Sequence, residues 1–298
     1  MKDSLHSYMK VGIVHQMAFP EQPNVETLKR IVEDDFFGAV ELGVMAPEVK
    51  ESVINILKAS RVVVIFCGQV HILGEKLDPN SLDQALREKT IACMKTAVDE
   101  CYSFGVHKMG ILSGPDPGEE RREDAKKALI DSLIQICSYA KSKGNMGIVL
   151  EVFDRSVDKK CLIGPTKEGA QIAAEVRKKC PNFGLMIDLS HVPLLNETPE
   201  QSIMAARAFL SHVHIGNCVI KDKSHPAYGD KHPRFGLDVG ENDVEQVRQF
   251  LKALLDIGYI GPGKQNVVSF EVKPMPGEDA EVVLAGSKRT LMEAWAKL

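Results

Sequence analysis

The chain has 298 residues, 44% of them hydrophobic and 26% charged, with a net charge of −4. That is the composition of an ordinary globular protein long enough to bury a full core, and its dispersed basic residues give no electrostatic footing for nucleic acid or an anionic membrane. Seven cysteines include no CxxC pair, MKDSLHSYMK at the start has no apolar h-region, and no apolar run approaches the ~18 residues of a membrane helix, so a reduced, cytoplasmic, non-membrane protein is expected.

Apolar runs and helical periodicities alternate along the whole chain. Strand-like runs fall at 10–17 (KVGIVHQM), 38–44 (GAVELGV), 61–69 (RVVVIFCGQ) and 108–114 (KMGILSG). Four more follow at 148–154 (IVLEVFD), 183–191 (FGLMIDLSH), 211–217 (SHVHIGN) and 267–274 (VVSFEVKP). Their Val/Ile richness suits parallel strands covered on both faces. Between them, segments with apolar spacing near 3.6 read as helices at 24–36, 46–60, 81–105, 122–144, 166–180, 198–210, 241–258 and 279–298. Asn24 reads as an N-cap with Glu close behind, and the helices at 81–105 and 122–144 end on glycine. Eight strand-then-helix units predict one (β/α)₈ TIM barrel domain over 1–298, with its active site at the C-terminal ends of the strands. A doubly wound open sheet has the same alternation, but would not so readily bring residues from strands five to eight to one point. The longest irregular stretch, 217–240, follows strand seven, and a loop of that length in a compact domain is usually functional or disordered.

Glu151, Asp188, His214 and Glu271 each sit near the end of one of the last four strand-like runs. A carboxylate inside a Val/Ile/Leu strand is costly unless it is paired or coordinates a cation. Three carboxylates and an imidazole form an O/N set suited to one divalent ion, with Mn²⁺ first and Mg²⁺, Co²⁺ or Zn²⁺ as alternatives. A set of buried ion pairs without metal fits the same pattern. Strand alternation turns His212 the way of His214, Ser190 the way of Asp188, and Lys273 the way of Glu271.

The motifs E-V-F-D, I-D-L-S-H, H-V-H-I-G-N and F-E-V-K-P resemble those of the xylose isomerase-like barrel superfamily, which includes sugar isomerases, ketose 3-epimerases and apurinic-site endonucleases. The resemblance runs over nearly the whole chain. It implies metal ligands at Glu151, Asp188, His214 and Glu271, a substrate-contacting histidine at His191, and proton transfer by Glu151 and Glu271. Taking a proton from the carbon beside a carbonyl yields an enediolate, which a cation stabilises while the two carboxylates act as base and acid. The epimerases carry an arginine a few residues after the metal histidine, whereas this chain reads NCVIKDK there, with Ile220 near that place. Asp230, His232 and Arg234 of GDKHPRFG are candidate polar replacements. Together with Lys273 and His15 they complete the expected substrate-binding set. His191, Asp230 and His232 also match part of the endonucleases' extra zinc sites; His71 could serve for another ligand, but strand four ends in Ser113 without a histidine. Glu41 is a further candidate for the pocket wall.

The expected activity is a metal-dependent sugar isomerase or epimerase acting on a keto-sugar or sugar derivative. A lyase or decarboxylase of a 3-keto sugar acid or 3-keto glycoside would use the same site, and an endonuclease or a non-catalytic sugar-binding protein stands behind both. The expected partners are a small sugar or sugar acid, and further copies of the chain in a homo-oligomer.

Overall fold

The computed structural model describes residues 4–21 and 24–298. Eight parallel strands form one sheet in the order β1-β8-β7-β6-β5-β4-β3-β2. They are β1 (Lys10–Ile13), β2 (Ala39–Leu42), β3 (Val63–Cys67), β4 (Lys108–Leu112), β5 (Gly147–Glu151), β6 (Phe183–Asp188), β7 (Leu210–Ile215) and β8 (Val267–Phe270). A bridge between Val14 and Glu41, and a hydrogen bond of 2.9 Å from Gly38 N–H to the Val11 carbonyl, join the two ends of the sheet. The result is the TIM barrel that the alternating pattern predicted.

Among the described residues, ten α-helices surround it: α1 (His15–Ala18), α2 (Val25–Glu33), α3 (Lys50–Ser60), α4 (Gln69–Gly74), α5 (Gln84–Ser103), α6 (Arg122–Lys143), α7 (Thr166–Arg177), α8 (Pro199–Ala206), α9 (Val244–Asp256) and α10 (Ala280–Ala296). Their starts are set locally. Asn24, Thr198 and Asp243 each close a capping box, which satisfies backbone N–H groups that the first turn leaves without partners. At Asn24 the reciprocal partner is Thr27, not the expected glutamate. Gly105 ends α5 with φ of 72°, a left-handed conformation that favours glycine. None of the described helices is long and apolar enough to cross a membrane.

Two boundaries differ from expectation. The run 10–17 is a strand only to Ile13, after which α1 begins at His15. The run 61–69 likewise gives way at Gln69 to α4. In both places apolar residues continue past the last strand pairing, because the barrel mouth is buried as well as its wall.

Inside the barrel, residues two apart share a face. Ala39, Ile65 and Val267 form a small apolar layer there. A Cβ on Gly12 would lie 2.3 Å from the Ser269 hydroxyl oxygen, so this layer admits no larger residue at that point. One step further along the same faces come Glu41, Cys67, Ser269 and His212, all buried, and beyond them the polar cluster at the strand ends.

Candidate metal and substrate site

Glu151 is the last residue of β5 and Asp188 the last of β6; His214 lies near the end of β7, and Glu271 directly follows β8. The barrel therefore gathers four distant segments at one mouth. One ligand atom from each of the four residues lies within 4.8 Å of all the others. Close approach of the last two strands depends on Gly216, where a Cβ would stand 2.5 Å from the Glu271 carbonyl oxygen. The cluster is nearly sealed, and Glu271 is its most open member at 17% side-chain exposure.

The contacts show which atoms are committed. Glu151 Oε2 accepts a hydrogen bond of 2.7 Å from the Gln69 amide. His214 Nδ1 is 2.5 Å from Glu271 Oε2 and 3.6 Å from Asp188 Oδ2, while its Nε2 is 3.1 Å from both Glu41 oxygens. Asp188 Oδ1 accepts from the Ser190 N–H at 2.6 Å. By contrast, Glu151 Oε1 and Asp188 Oδ2 are buried without hydrogen-bond partners. Buried carboxylate oxygens are rarely left so, because desolvating even a neutral polar group without compensation costs about 2–7 kcal/mol and an ionised carboxylate costs more. Two orphan oxygens within a set of three carboxylates and an imidazole fit a divalent cation.

The electrostatics agree. Burial pushes the Glu151 carboxyl up to about 7, with His191 pulling it down and Glu271 pushing it further up. Despite desolvation, the neighbouring imidazoles of His214, His191 and His232 hold Asp188 well below the usual carboxylate range. Against desolvation, Glu41 and Glu271 hold His214 well above an ordinary histidine.

A second group adjoins the first and shares Asp188 with it. Asp188, His191 and His232 also offer ligand atoms within 4.8 Å of one another. His191 Nδ1 faces the Val152 carbonyl at 3.0 Å, and the ring lies 4.3 Å from that of Phe153. Its Nε2 is 3.0 Å from Asp230 Oδ1 without hydrogen-bond alignment, which leaves both atoms unsatisfied. His232 Nε2 reaches the same oxygen at 2.8 Å, and Lys159 pairs with Asp230 Oδ2 at 2.9 Å. His232 adopts φ of 52°, a left-handed backbone uncommon outside glycine and found disproportionately at functional sites. Against desolvation, Asp230 and Glu271 raise His232 to about 9.

Three of the expected substrate-binding residues have side chains engaged or directed outside the cluster. His15 is paired through Nε2 with the Thr27 hydroxyl at 2.8 Å, and burial lowers it to about 4. Arg234 is 39% exposed and binds Glu278 at 2.7 Å and the carbonyls of Phe235 and Gly236, so it anchors the 229–236 loop to the segment before α10. Lys273 does not turn inward as strand alternation implied, because pairing ends at Phe270 and its side chain is exposed. Only its backbone joins the site region, donating to the His232 carbonyl at 2.6 Å. Lys273 and Lys231 instead line a cavity of about 860 Å³ with Phe19, Pro226, Pro274 and Met275. His71 also lies apart, beside Glu75 at 3.3 Å.

Several contributors escaped sequence reasoning. Gln69 opens α4, at a place where the apolar run predicts strand. Asp154, the last letter of E-V-F-D, accepts from the backbone N–H groups of Ser156, Val157, Asp158 and Lys159, and so shapes the loop that delivers Lys159 to Asp230. Asn217 and Asn242 pin the long loop over the strand ends: the Asn242 amide donates to the Leu189 and Gly216 carbonyls, and Asn217 Oδ1 accepts from the Asn242 N–H.

Comparison with known proteins places this geometry in context. The family described as xylose isomerase-like TIM barrel matches residues 31–289. An L-ribulose 3-epimerase from Methylomonas sp. (strain DH-1) is 28% identical over 194 residues, covering 64% of this chain and 60% of that protein. Among solved structures, the IOLI protein with a bound zinc atom superposes with a TM-score of 0.74 at 17% identity, covering 97% of this chain and 99% of that one. A D-tagatose 3-epimerase-like protein gives 0.73 at 19% identity over the same shares, 97% and 99%. Barrel, strand-end cluster and matched residues together make this chain a member of the xylose isomerase-like TIM barrel family.

Proposed function

We propose that this protein is a divalent-metal-dependent isomerase or epimerase of a keto-sugar or sugar derivative. The observation that carries the reading is the strand-end set of Glu151, Asp188, His214 and Glu271, whose carboxylates include two buried oxygens without partners. In this reading the four residues hold one cation, Mn²⁺ by preference. When bound, the cation stabilises negative charge on a substrate oxygen.

The remaining chemistry belongs to the chain. Glu151, raised to about 7 before any cation binds, would be ionised beside one and so able to accept a proton near neutrality. Its Oε2 accepts from Gln69, which fixes the orientation of the carboxylate, and Oε1 is the oxygen left for the cation. Glu271, the most exposed of the four, is the complementary carboxylate on a different strand end. Acting from two directions on the carbon beside a carbonyl, the pair would remove a proton and return one, which inverts a stereocentre or moves a carbonyl. His191, Asp230 and His232 would bind substrate hydroxyls, with Lys159 holding Asp230 in place. The near-sealed cluster excludes bulk water, which strengthens each of these interactions. The similarity to an L-ribulose 3-epimerase supports action on a sugar.

The test is product analysis with Mn²⁺-loaded protein and a panel of ketopentoses, ketohexoses and 3-keto sugars. An epimer or aldose isomer is expected, with conversion lost in Glu151→Gln and Glu271→Gln. Loss of CO₂ or an aglycone would instead assign a lyase using the same site, and no conversion across the panel would overturn the isomerase reading. The Asp188–His191–His232 group favours one second reading, a two-cation centre sharing Asp188, which suits hydrolysis of phosphate esters. Metal stoichiometry decides between them.

A further inference from the structure

Glu41 is a buried carboxylate that the chemistry above does not use. It sits on β2 and is 1% exposed, yet it reaches across the barrel interior to two histidines of β7. Its Oε1 is 2.7 Å from His212 Nε2, and both its oxygens are 3.1 Å from His214 Nε2. The two imidazoles meet edge to face with centroids 5.0 Å apart, and Cys67 Sγ lies 3.9 Å from Oε2.

An ionised carboxylate only accepts hydrogen bonds, so each Nε2 facing Glu41 must carry a proton. His214 Nδ1, 2.5 Å from Glu271 Oε2, carries a proton by the same argument while no cation is bound; with Nε2–H held by Glu41, Nδ1, turned towards Asp188 and Glu271, is the nitrogen left to offer its lone pair to a cation. A cation ligand must present a lone pair at the metal, and a carboxylate behind the other nitrogen both orients the ring and raises its basicity. His212 fixes Glu41 in turn, through Oε1.

We infer that Glu41 is a positioning residue for the metal centre: it holds His214 in the Nε2–H tautomer with Nδ1 aimed into the Glu151–Asp188–Glu271 set, while His212 steadies the Glu41 carboxylate. The inference rests on the metal reading above and adds to it a link that runs from β2 to β7 through the barrel interior.

The test is Mn²⁺ affinity, read from the electron paramagnetic resonance signal of the free ion, in wild type, Glu41→Gln and His212→Gln. Glu41→Gln should weaken Mn²⁺ binding roughly 10- to 100-fold. His212→Gln retains an amide donor for Glu41 and should stay within about threefold of wild type. Equal losses in both variants would mean that the histidine–carboxylate group acts by packing alone, and unchanged affinity in Glu41→Gln would also overturn the inference. A measurement on the wild type needs no variant to fold. In the Zn²⁺-loaded, ¹⁵N-histidine-labelled protein, His214 should show a protonated Nε2 and a metal-bound Nδ1, and the reverse assignment would refute the proposal. A wild type with no Mn²⁺ affinity removes the metal reading itself, and this inference with it.

Discussion

Replacing Glu151 with glutamine should stabilise the metal-free protein and abolish its stabilisation by metal. Glu151 is buried, one of its oxygens has no partner, and its carboxyl is raised from an ordinary 4.5 to about 7. A shift of that size corresponds to about 3 kcal/mol of destabilisation once the group ionises. The sign follows from linkage: the folded value lies above the unfolded one, so stability is full below about pH 4.5 and is lost as pH rises through about 7. The Glu151→Gln side chain would keep the 2.7 Å contact, since an amide oxygen can accept from Gln69, but would carry no charge to desolvate. At pH 8 the metal-free variant should therefore melt about 5 °C above metal-free wild type, the shift that about 3 kcal/mol produces in a chain of this size. At pH 4.5 the two should coincide. With saturating Mn²⁺ the order should reverse, because wild type gains the binding energy and the variant has lost an anionic ligand. The assay is differential scanning calorimetry with EDTA and with Mn²⁺. A metal-free variant that melts below wild type at pH 8 would show that the Glu151 charge is satisfied by His191, and would refute the argument from orphan oxygens.

Three further outcomes are expected. Because His214 and Glu151 both hold protons above their ordinary ranges when no cation balances them, Mn²⁺ uptake should release protons and tighten as pH rises towards about 7; calorimetry in two buffers of different ionisation enthalpy would show it, and buffer-independent heats would contradict it. Elemental analysis after Mn²⁺ loading and desalting should find one ion per chain, whereas two would assign the Asp188–His191–His232 group a cation of its own. Lys273→Met should leave both Mn²⁺ affinity and the relative KM of sugar acids and neutral sugars unchanged, because the side chain is exposed and lines the outer cavity; a selective rise in KM for sugar acids would return Lys273 to the substrate site.

The barrel was legible in the sequence because parallel strands covered on both faces read as Val/Ile runs, and eight of them alternate with helical periodicity. The four strand-end residues were legible for a related reason: a charge inside such a run demands compensation. Strand ends were less so, since His15 and Gln69 belong to runs that stay buried after pairing stops. Lys273 illustrates the limit of alternation, which holds only while the chain is a strand and fails beyond Phe270. Glu41 attracted little weight because its partners lie 171 and 173 residues away across the barrel, and only closure of the sheet brings them together. Arg234 read as a binding residue until the fold supplied Glu278 as its partner. Lys159 and Asp154 act through a loop whose shape comes from four backbone contacts, for which no periodicity gives a signal.

The most direct test of the central claim is proton exchange at carbon. Mn²⁺-loaded protein incubated in D₂O with the ketose panel, and followed by proton NMR, should place deuterium on a carbon next to the carbonyl while the skeleton stays intact. Exchange should stop with EDTA and in Glu151→Gln. Turnover of a sugar without deuterium at that carbon, or exchange that persists after metal removal, would contradict a metal-centred proton transfer between Glu151 and Glu271.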